Sequence, residues 1–569
     1  PDVHQPIAFA IDERGRLWVA EAYGYPVKLP NGQGQDRILI FADEDGDGSF
    51  ETRKVFAEGL NLVSGLEVGF GGVFVGAAPE LLFIPDRDRD DRPDGPPEVL
   101  LDGWGFQDTH ETLNSFTWGP DGWLYGNQGV FVQSRVGRPG TSAEERQSLR
   151  AAVWRYHPVR RTFEVYSHGG SNQWGIGFNL DGHLFLTHCR SFHGGGGTTY
   201  AIRNGHFWNQ TNSDYPDFIS NHAPDFAPGM KNLLPASARY DSGEGGAGKP
   251  GTTAVYGGHS HVGTMIYLGD NWPEIYRDHL FTHNLHGRQI NHQHNVRRGS
   301  GYETFHAGYD LLFSPDLSYL PVDLQYGPDG AVYVIDWCDE QHCHHPLPEA
   351  WNRTNGRIYR LAWAATDQRR RVDLGVMSDR QLGELHTHRN EWFVRTARRL
   401  LQRRASSRVL EAVALEQLRT LLRSPESRTA RLRALWTLHV TGALQPGELR
   451  EALRDPEDVV RAWAVTLGTE VPGRLTLTAD ELAVVAQQDE SAHVRLAVAS
   501  TLPLVAPDDV WRIGAALASH PGDVHDRFLP KMIWFGLARV ARSNVARALA
   551  LANETPLPTL ADSIRWFIA

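Results

Sequence analysis

His110 stands in QDTHETLNSFTWGPDG (107–122), just ahead of an apolar run that ends in a Gly-Pro-Asp-Gly turn. A neutral imidazole takes a proton near neutral pH, so the residue suits a general base. A histidine satisfied by its neighbours at a strand entrance is the structural alternative. His259 and His261 are spaced i, i+2, which puts both on one face of an extended strand. That geometry suits two ligands of a divalent metal, and HNLHGRQINHQH (283–294) adds further donors. DEDGDGSFE (43–51) sets Asp43, Asp45, Asp47 and Glu51 at positions 1, 3, 5 and 9, with Gly48 at position 6. Alternating carboxylates around a tight glycine turn make the oxygen cage that Ca²⁺ prefers. Lys54 stands where an EF-hand has its acidic twelfth ligand, so the reading is a structural, hairpin-type calcium loop. DRDRDDRPD (86–94) repeats the spacing with Asp86, Asp88, Asp90 and Asp94, while Arg87, Arg89 and Arg92 compete for the carboxylates. A solvated acidic turn is the alternative for both. Cys338-Asp-Glu-Gln-His-Cys343-His344 departs from the C-x-x-C-H spacing of covalent haem attachment.

Two kinds of element must position these residues. Over 1–362 a short apolar run, a Gly-containing turn and a second apolar run recur six times: 7–21, 66–76, 116–129, 176–188, 265–284 and 322–337. Asp-Gly turns between alternating runs signal hairpins, and even spacing signals a repeat. The closed solution is an all-β six-bladed β-propeller. The longest gap predicts a large insertion near 190–258, rich in Gly, Asn and His, able to cover one face; GRIYRL (356–361) reads as a closing strand. From 378 to 569 the period becomes helical. NEWFVRTARRLL (390–401), DPEDVVRAWAV (455–465) and DESAHVRLAVA (489–499) share an acidic start followed by Val/Leu-Arg-x-x-Ala, or a close variant. Their spacing suits an all-α HEAT-like solenoid, with scaffolding or docking as its simplest role.

With 569 residues, one core is not enough and at least two domains are expected. The 41% hydrophobic content excludes a disordered chain, and 57 Gly without a collagen period fit the turns of a β-rich fold. A net charge of −12, with basic residues concentrated in the helical half, argues against nucleic acid. No apolar run is long enough to span a bilayer. Three cysteines cannot build a disulfide scaffold; Cys338 and Cys343 form one local bridge or stay as thiols. Lysine is confined to Lys28, Lys54, Lys231, Lys249 and Lys531, which restricts any lysine-dependent mechanism. The start at Pro1 suggests a mature or trimmed product.

In a propeller, residues just before each innermost strand and just after the next strand converge on one mouth of the channel. Here that ring comprises His4, Gln5, Glu21, Ser64, His110, Asn114, Asn127, Asn172, Gln173, His188, His259, His261, His283, Asn284 and Asp336. So many polar groups predict a solvated, ligand-holding funnel. His110, Asn172 and Asp336 are its candidate catalytic residues; Gln5, Glu21, Asn114, Gln173, His259 and His261 are its candidate cofactor-binding residues.

PDVHQPIAFAIDERGRLWVAEAYGYP (1–26), QDTHETLNSFTWGPDGWLYGNQGVF (107–131), GHSHVGTMIYLGDNWP (258–273) and NRTNGRIYRL (352–361) resemble the membrane-bound dehydrogenases abundant in planctomycetes and verrucomicrobia. That resemblance implies a propeller followed by HEAT-like repeats. The family's frequent cytochrome c-type domain has no C-x-x-C-H counterpart here. The propeller more distantly resembles soluble glucose and aldose sugar dehydrogenases that use pyrroloquinoline quinone (PQQ) and Ca²⁺. Their general-base histidine precedes a strand ending in Gly-Pro-Asp, as His110 does. Their quinone-binding Arg-Asn-Pro corresponds to Ser171-Asn172-Gln173, which keeps the asparagine and loses the arginine. Arg190, Arg203 or Arg288 are the candidates to replace it. The resemblance implies a PQQ- and calcium-dependent sugar or alcohol dehydrogenase, a cytochrome c acceptor, and a periplasmic or cell-surface location. Two alternatives stand beside it: a metal-dependent carbohydrate lyase or hydrolase using His259 and His261, and a non-catalytic glycan-binding scaffold.

Overall fold

The computed structural model describes residues 2–47, 49–189, 197–209, 215–220, 261–285, 287–341, 347, 350–471, 473 and 475–569. Six antiparallel sheets succeed one another along the first part of the chain. Blade one is Pro6–Ile11, Leu17–Glu21, Asp36–Ala42 and Thr52–Leu60, paired in that order. Blade two is Val63–Val68, Gly72–Ala77, Glu80–Pro85 and Glu98–Asp102. The innermost strands of the others are Asn114–Trp118, Gln173–Phe178, His261–Ile266 and Pro321–Tyr326. Each innermost strand touches the next, and the sixth returns to the first, so the ring closes as a six-bladed β-propeller. Arg357–Leu361 pairs with Val332–Asp336 as the outer strand of blade six.

The hairpins are tight because Asp-Gly turns set the glycine at positive φ, as at Gly122 (φ 81°) and Gly330 (φ 71°). The core lies in wedges between blades. Trp18, Ile38, Val63 and Ile84 fill the space between blades one and two; Phe74, Leu81, Phe116 and Trp154 fill the next. Alternating apolar residues on facing sheets produce this packing. Within the expected insertion, His206–Asn209 runs parallel to Thr162–Gly170 and adds a fifth strand to blade three.

Twelve α-helices follow among the described residues, from Asp379–Glu384 to Pro558–Ile568. A repeated ion pair joins successive turns of this array. Arg431 is bidentate to Asp455 at 2.8 and 3.0 Å, Arg461 to Asp489 at 2.7 and 2.9 Å, and Arg495 to Asp523 at 2.8 and 2.5 Å. The helices pack directly on the propeller. Helix Glu391–Ala405 lies over one end of the channel, where Trp392, Arg395, Thr396 and Arg399 face Glu67 and Asp323 across a cavity of ≈ 130 Å³. Arg297 pairs with Asp458 at 2.9 Å, and Asp526 accepts from the Ser300 amide and hydroxyl at 2.7 and 2.6 Å. No described helix is long and apolar enough to cross a membrane.

Burial gives the fold an acid limit. It lowers His157, His283 and His386 to about 3 and His493 to about 4. All four imidazoles are buried and neutral in the native state. Unfolding lets them take protons below their ordinary value, so stability is lost as pH falls from about 6.5, at up to about 1.4 kcal/mol per pH unit per group. Burial pushes Glu67 and Asp323 the other way, up to about 7. Their contribution favours the native state at low pH and disappears as pH rises through about 7. Denaturant midpoints measured from pH 4 to 9 are expected to peak near pH 6–7. A flat profile below pH 6 contradicts the assignment of buried neutral imidazoles.

Candidate functional site

The early residues of the innermost strands, Ile7, Val63, Trp174, Val262 and Val322, form an apolar floor at the channel end opposite the helix. Above it lies a cavity of ≈ 80 Å³. Its apolar wall includes Tyr25, Trp337 and Trp351, with Tyr25 edge-on to Trp337 at 5.5 Å and to Trp351 at 5.0 Å between ring centroids. Its polar side is Ser64, Thr109, His110, Glu111 and Asn172.

The loop between the last strand of blade two and the first of blade three carries most of that polar side. The Thr109 hydroxyl donates to the Pro26 carbonyl at 2.7 Å, and the Gly129 amide donates to the Glu111 carbonyl at 2.9 Å. Gly129 is required there, because a Cβ at that position falls 2.5 Å from Glu111 Cβ. His110 Nδ1 contacts Asp108 Oδ1, with both side chains largely buried. A carboxylate on Nδ1 fixes the tautomer, with the ring's lone pair on Nε2. Glu111 is 6% exposed and its Oε2 has no hydrogen-bond partner among the described residues. Burial, reinforced by the nearby Asp108 charge, pushes Glu111 well above the usual carboxylate range, which favours its neutral, hydrogen-donating form. Asn172 Oδ1 accepts from the Val130 amide at 3.1 Å, which fixes its side chain beside Glu111 across Gly129.

His110 and Asn172 are therefore brought together at the cavity, as the sequence predicts. Among the described residues, the other polar positions of the expected ring do not line it, Ser64 excepted; several of them satisfy groups where the chain turns. Glu21 accepts from the His4 amide at 2.8 Å and from Arg37 Nε at 2.9 Å. Asp336 accepts from the Leu320 and Cys338 amides at 2.8 and 2.9 Å. Asn114 donates to the Thr112 carbonyl at 2.8 Å and accepts from the Ser115 hydroxyl at 2.7 Å. Gln173, with its amide in the orientation that satisfies both ends, donates to the Ser171 carbonyl at 2.5 Å and accepts from the Ala152 amide at 3.0 Å. Gln5 accepts from Arg353 at 3.4 Å. Buried backbone groups need partners, and side chains at strand ends supply them. The funnel floor is consequently apolar rather than polar.

His261 is fully buried at the start of its strand, and His259 lies outside the described residues, as do Arg190, Cys343 and His344. Arg203 is engaged elsewhere, on Glu164 and on the Thr469 and Glu470 carbonyls, and Arg288 does not line the cavity. Sequence reasoning missed Asp108 and Glu111, although both flank His110 in one hexapeptide. It also missed the aromatic wall, whose members are far apart in the chain.

The acidic loops lie away from this cavity. Asp43, Asp45, Asp47 and Glu51 each bring a carboxylate oxygen within 4.8 Å of the others, and so do Asp86, Asp88 and Asp90. Asp94 is not in the second group: it accepts from the Arg87 amide at 2.8 Å and pairs with the Arg87 guanidinium at 3.6 Å. Asp91 is held by Arg16 at 2.9 Å and Lys54 at 3.0 Å.

PQQ carries three carboxylates and needs cations around it. No Arg or Lys lines the cavity among the described residues, while Glu111 lines it and Asp108 stands behind His110. The described lining thus supplies no cationic partner for the quinone; Arg190, which follows the cavity-lining Cys189, lies outside the described residues.

No curated protein matches the chain. Among solved structures, a Thermus thermophilus oxidoreductase assigned as a glucose dehydrogenase is 17% identical, with 63% of this chain and 97% of that one covered and a TM-score of 0.41. The PQQ-bound aldose sugar dehydrogenase of Streptomyces coelicolor is 13% identical, with 63% and 94% covered and a TM-score of 0.39. The holo PQQ domain of Coprinopsis cinerea pyranose dehydrogenase is 14% identical, with 58% and 90% covered and a TM-score of 0.37. Residues 1–365 match the family model described as a domain of unknown function, DUF7133, and the chain belongs to that family.

Proposed function

We propose that this chain is an enzyme acting on a hydroxyl group of a neutral sugar or small alcohol, with His110 as the general base. The observation that carries the reading is the His110–Asp108 contact at the wall of an aromatic-lined cavity. Asp108 orients the imidazole, His110 removes the hydroxyl proton, and Glu111 and Asn172 offer donors to a neighbouring oxygen. Tyr25, Trp337 and Trp351 exclude water and give a sugar ring an apolar face. This proton transfer alone is redox-neutral; oxidation of the alcohol carbon to a carbonyl also requires a bound redox cofactor that accepts the carbon's hydride. The dehydrogenase reading brings a cytochrome c acceptor and a periplasmic or cell-surface location with it. PQQ as its cofactor finds no cationic partner among the described residues of the lining, and a metal at His259 and His261 has no support from the described residues.

Trp174, Trp337 and Trp351 line the cavity, so ligand entry is expected to change tryptophan fluorescence. Aldoses, polyols and short alcohols are titrated separately, and PQQ with Ca²⁺ in parallel. Saturable quenching by a sugar or alcohol, weakened by Asn172→Ala, supports the reading. Silence across the panel counts against it, and tight PQQ binding restores the quinoprotein reading.

We propose further that the loop at 43–51 holds a structural Ca²⁺, which its four converging carboxylates favour. Calorimetry is expected to register calcium binding that Asp45→Ala abolishes. No binding, with no loss on Asp45→Ala, removes the calcium. The repeated Arg–Asp pairs of the helical part favour a HEAT-type array, in which each repeat is tied to the next.

A further inference from the structure

We infer that a groove outside blade three is a binding subsite for an acidic saccharide chain that continues from the His110 cavity. The inference rests on the proposed sugar site for its register, though not for its own chemistry. The groove has a volume of ≈ 780 Å³, within the range of about 300–1,000 Å³ usual for ligand sites.

Two chain segments join groove and cavity. Gly105, Phe106 and Gln107 line the groove, while Thr109, His110 and Glu111 of the same loop line the cavity. Gly169 lines the groove, and Asn172, three residues on, lines the cavity. Groove and cavity are thus lined by neighbouring residues of the same two segments.

The charge of the groove is one-sided. Among the described residues, Arg135 and Arg150 line it and no Asp or Glu does, in a chain of net charge −12. His168 and His206 stack in its wall, 4.8 Å between centroids and 5° between planes. Burial lowers His168 to about 4, so the fixed positive charge at neutral pH belongs to the two arginines. Arginine recognises carboxylates with directed hydrogen bonds. Phe106 is 42% exposed at the lip and offers a flat apolar face. Trp104 is 1% exposed and lines the groove, and its Nε1 has no hydrogen-bond partner among the described residues. Buried donors of this kind normally have a partner, so the orphaned indole N–H points to a ligand acceptor. Aromatic faces, amides from Gln107 and Gln133, and guanidinium groups together match a polyhydroxylated chain bearing carboxylates.

The test is calorimetric titration of the full chain with a trimer of galacturonic acid and, separately, a neutral glucose trimer. The acidic trimer is expected to bind more tightly, with affinity falling as NaCl is raised. Arg135→Gln, at an exposed side chain, is expected to weaken it about tenfold, the loss of one charge-assisted hydrogen bond. Phe106→Ala is expected to weaken it as well, and Arg512→Gln, on the helical part and away from the groove, to leave it unchanged. Equal binding of both trimers, no binding of either, or an Arg135→Gln variant that binds like the parent overturns the subsite. Loss of binding in His110→Ala alone assigns the trimer to the cavity and also overturns it. Failure of the His110 reading leaves the Arg135 dependence intact, so the two fail separately.

Discussion

Glu470→Ala is expected to destabilise the protein by about 3–5 kcal/mol, the usual cost of removing one partner from a buried ionic cluster. Glu470 is 2% exposed and sits between propeller and helices. Its carboxylate accepts from Arg160 of blade three at 2.8 Å, from His439 of the helical part at 2.6 Å, and from the Trp123 indole N–H. Arg155 of blade three adds to the same field and also stacks on Trp123, 4.2 Å from the ring. Burial alone raises Glu470, but His439, Arg160 and Arg155 outweigh it and hold it well below the usual range. A depressed folded value means that the contribution is full above the ordinary carboxylate range and is lost as pH falls below it. Removing the carboxylate leaves the Trp123 indole N–H and the Arg160 guanidinium without their partner at the interface. Urea denaturation at pH 7 measures the effect. A change under about 1 kcal/mol shows that the cluster is incidental and that packing alone holds the two parts together. Glu470→Gln keeps the size of the side chain, so a similar loss there isolates charge from volume.

His110→Ala is expected to lower kcat on the sugar or alcohol found by fluorescence about 10²- to 10⁴-fold, the range for a lost general base. Binding is expected to persist, because the aromatic wall and Asn172 remain. Asp108→Asn tests positioning separately. It keeps the side chain beside Nδ1 but removes the charge that orients the ring, so a smaller loss of kcat is expected, with a displaced pH–rate profile and an unchanged KM. Full activity in His110→Ala overturns the mechanism. A fall in binding as large as the fall in kcat assigns His110 to ligand contact instead.

The residues tell different stories about what was legible in the chain. The six apolar–turn–apolar units are readable because strand alternation and Asp-Gly turns are local properties, and a closed ring is the arrangement that packs each blade face against a neighbour. The change to helical period near 378 is local too, and so is the Asp43–Glu51 loop, whose carboxylates lie within nine residues. His110 and Asn172 were singled out by the same route, from their places at strand entrances, and both line the cavity. The destination of the polar strand-end residues was not. Glu21, Asn114, Gln173 and Asp336 satisfy turning backbone, and only the path of each loop decides whether a side chain faces the funnel or the chain behind it. Nor does any window of sequence join Tyr25 to Trp337 and Trp351, which meet because blade six closes on blade one. The Glu470 cluster is the extreme case: its partners Arg160 and Trp123 lie 310 and 347 residues away, and it exists only because the helices fold back onto blade three. Local periodicity thus determined the elements and the His110 side of the site. Ring closure and domain packing decided its polarity, its aromatic wall and the ionic contact beneath it, because those depend on groups that no short stretch of chain contains.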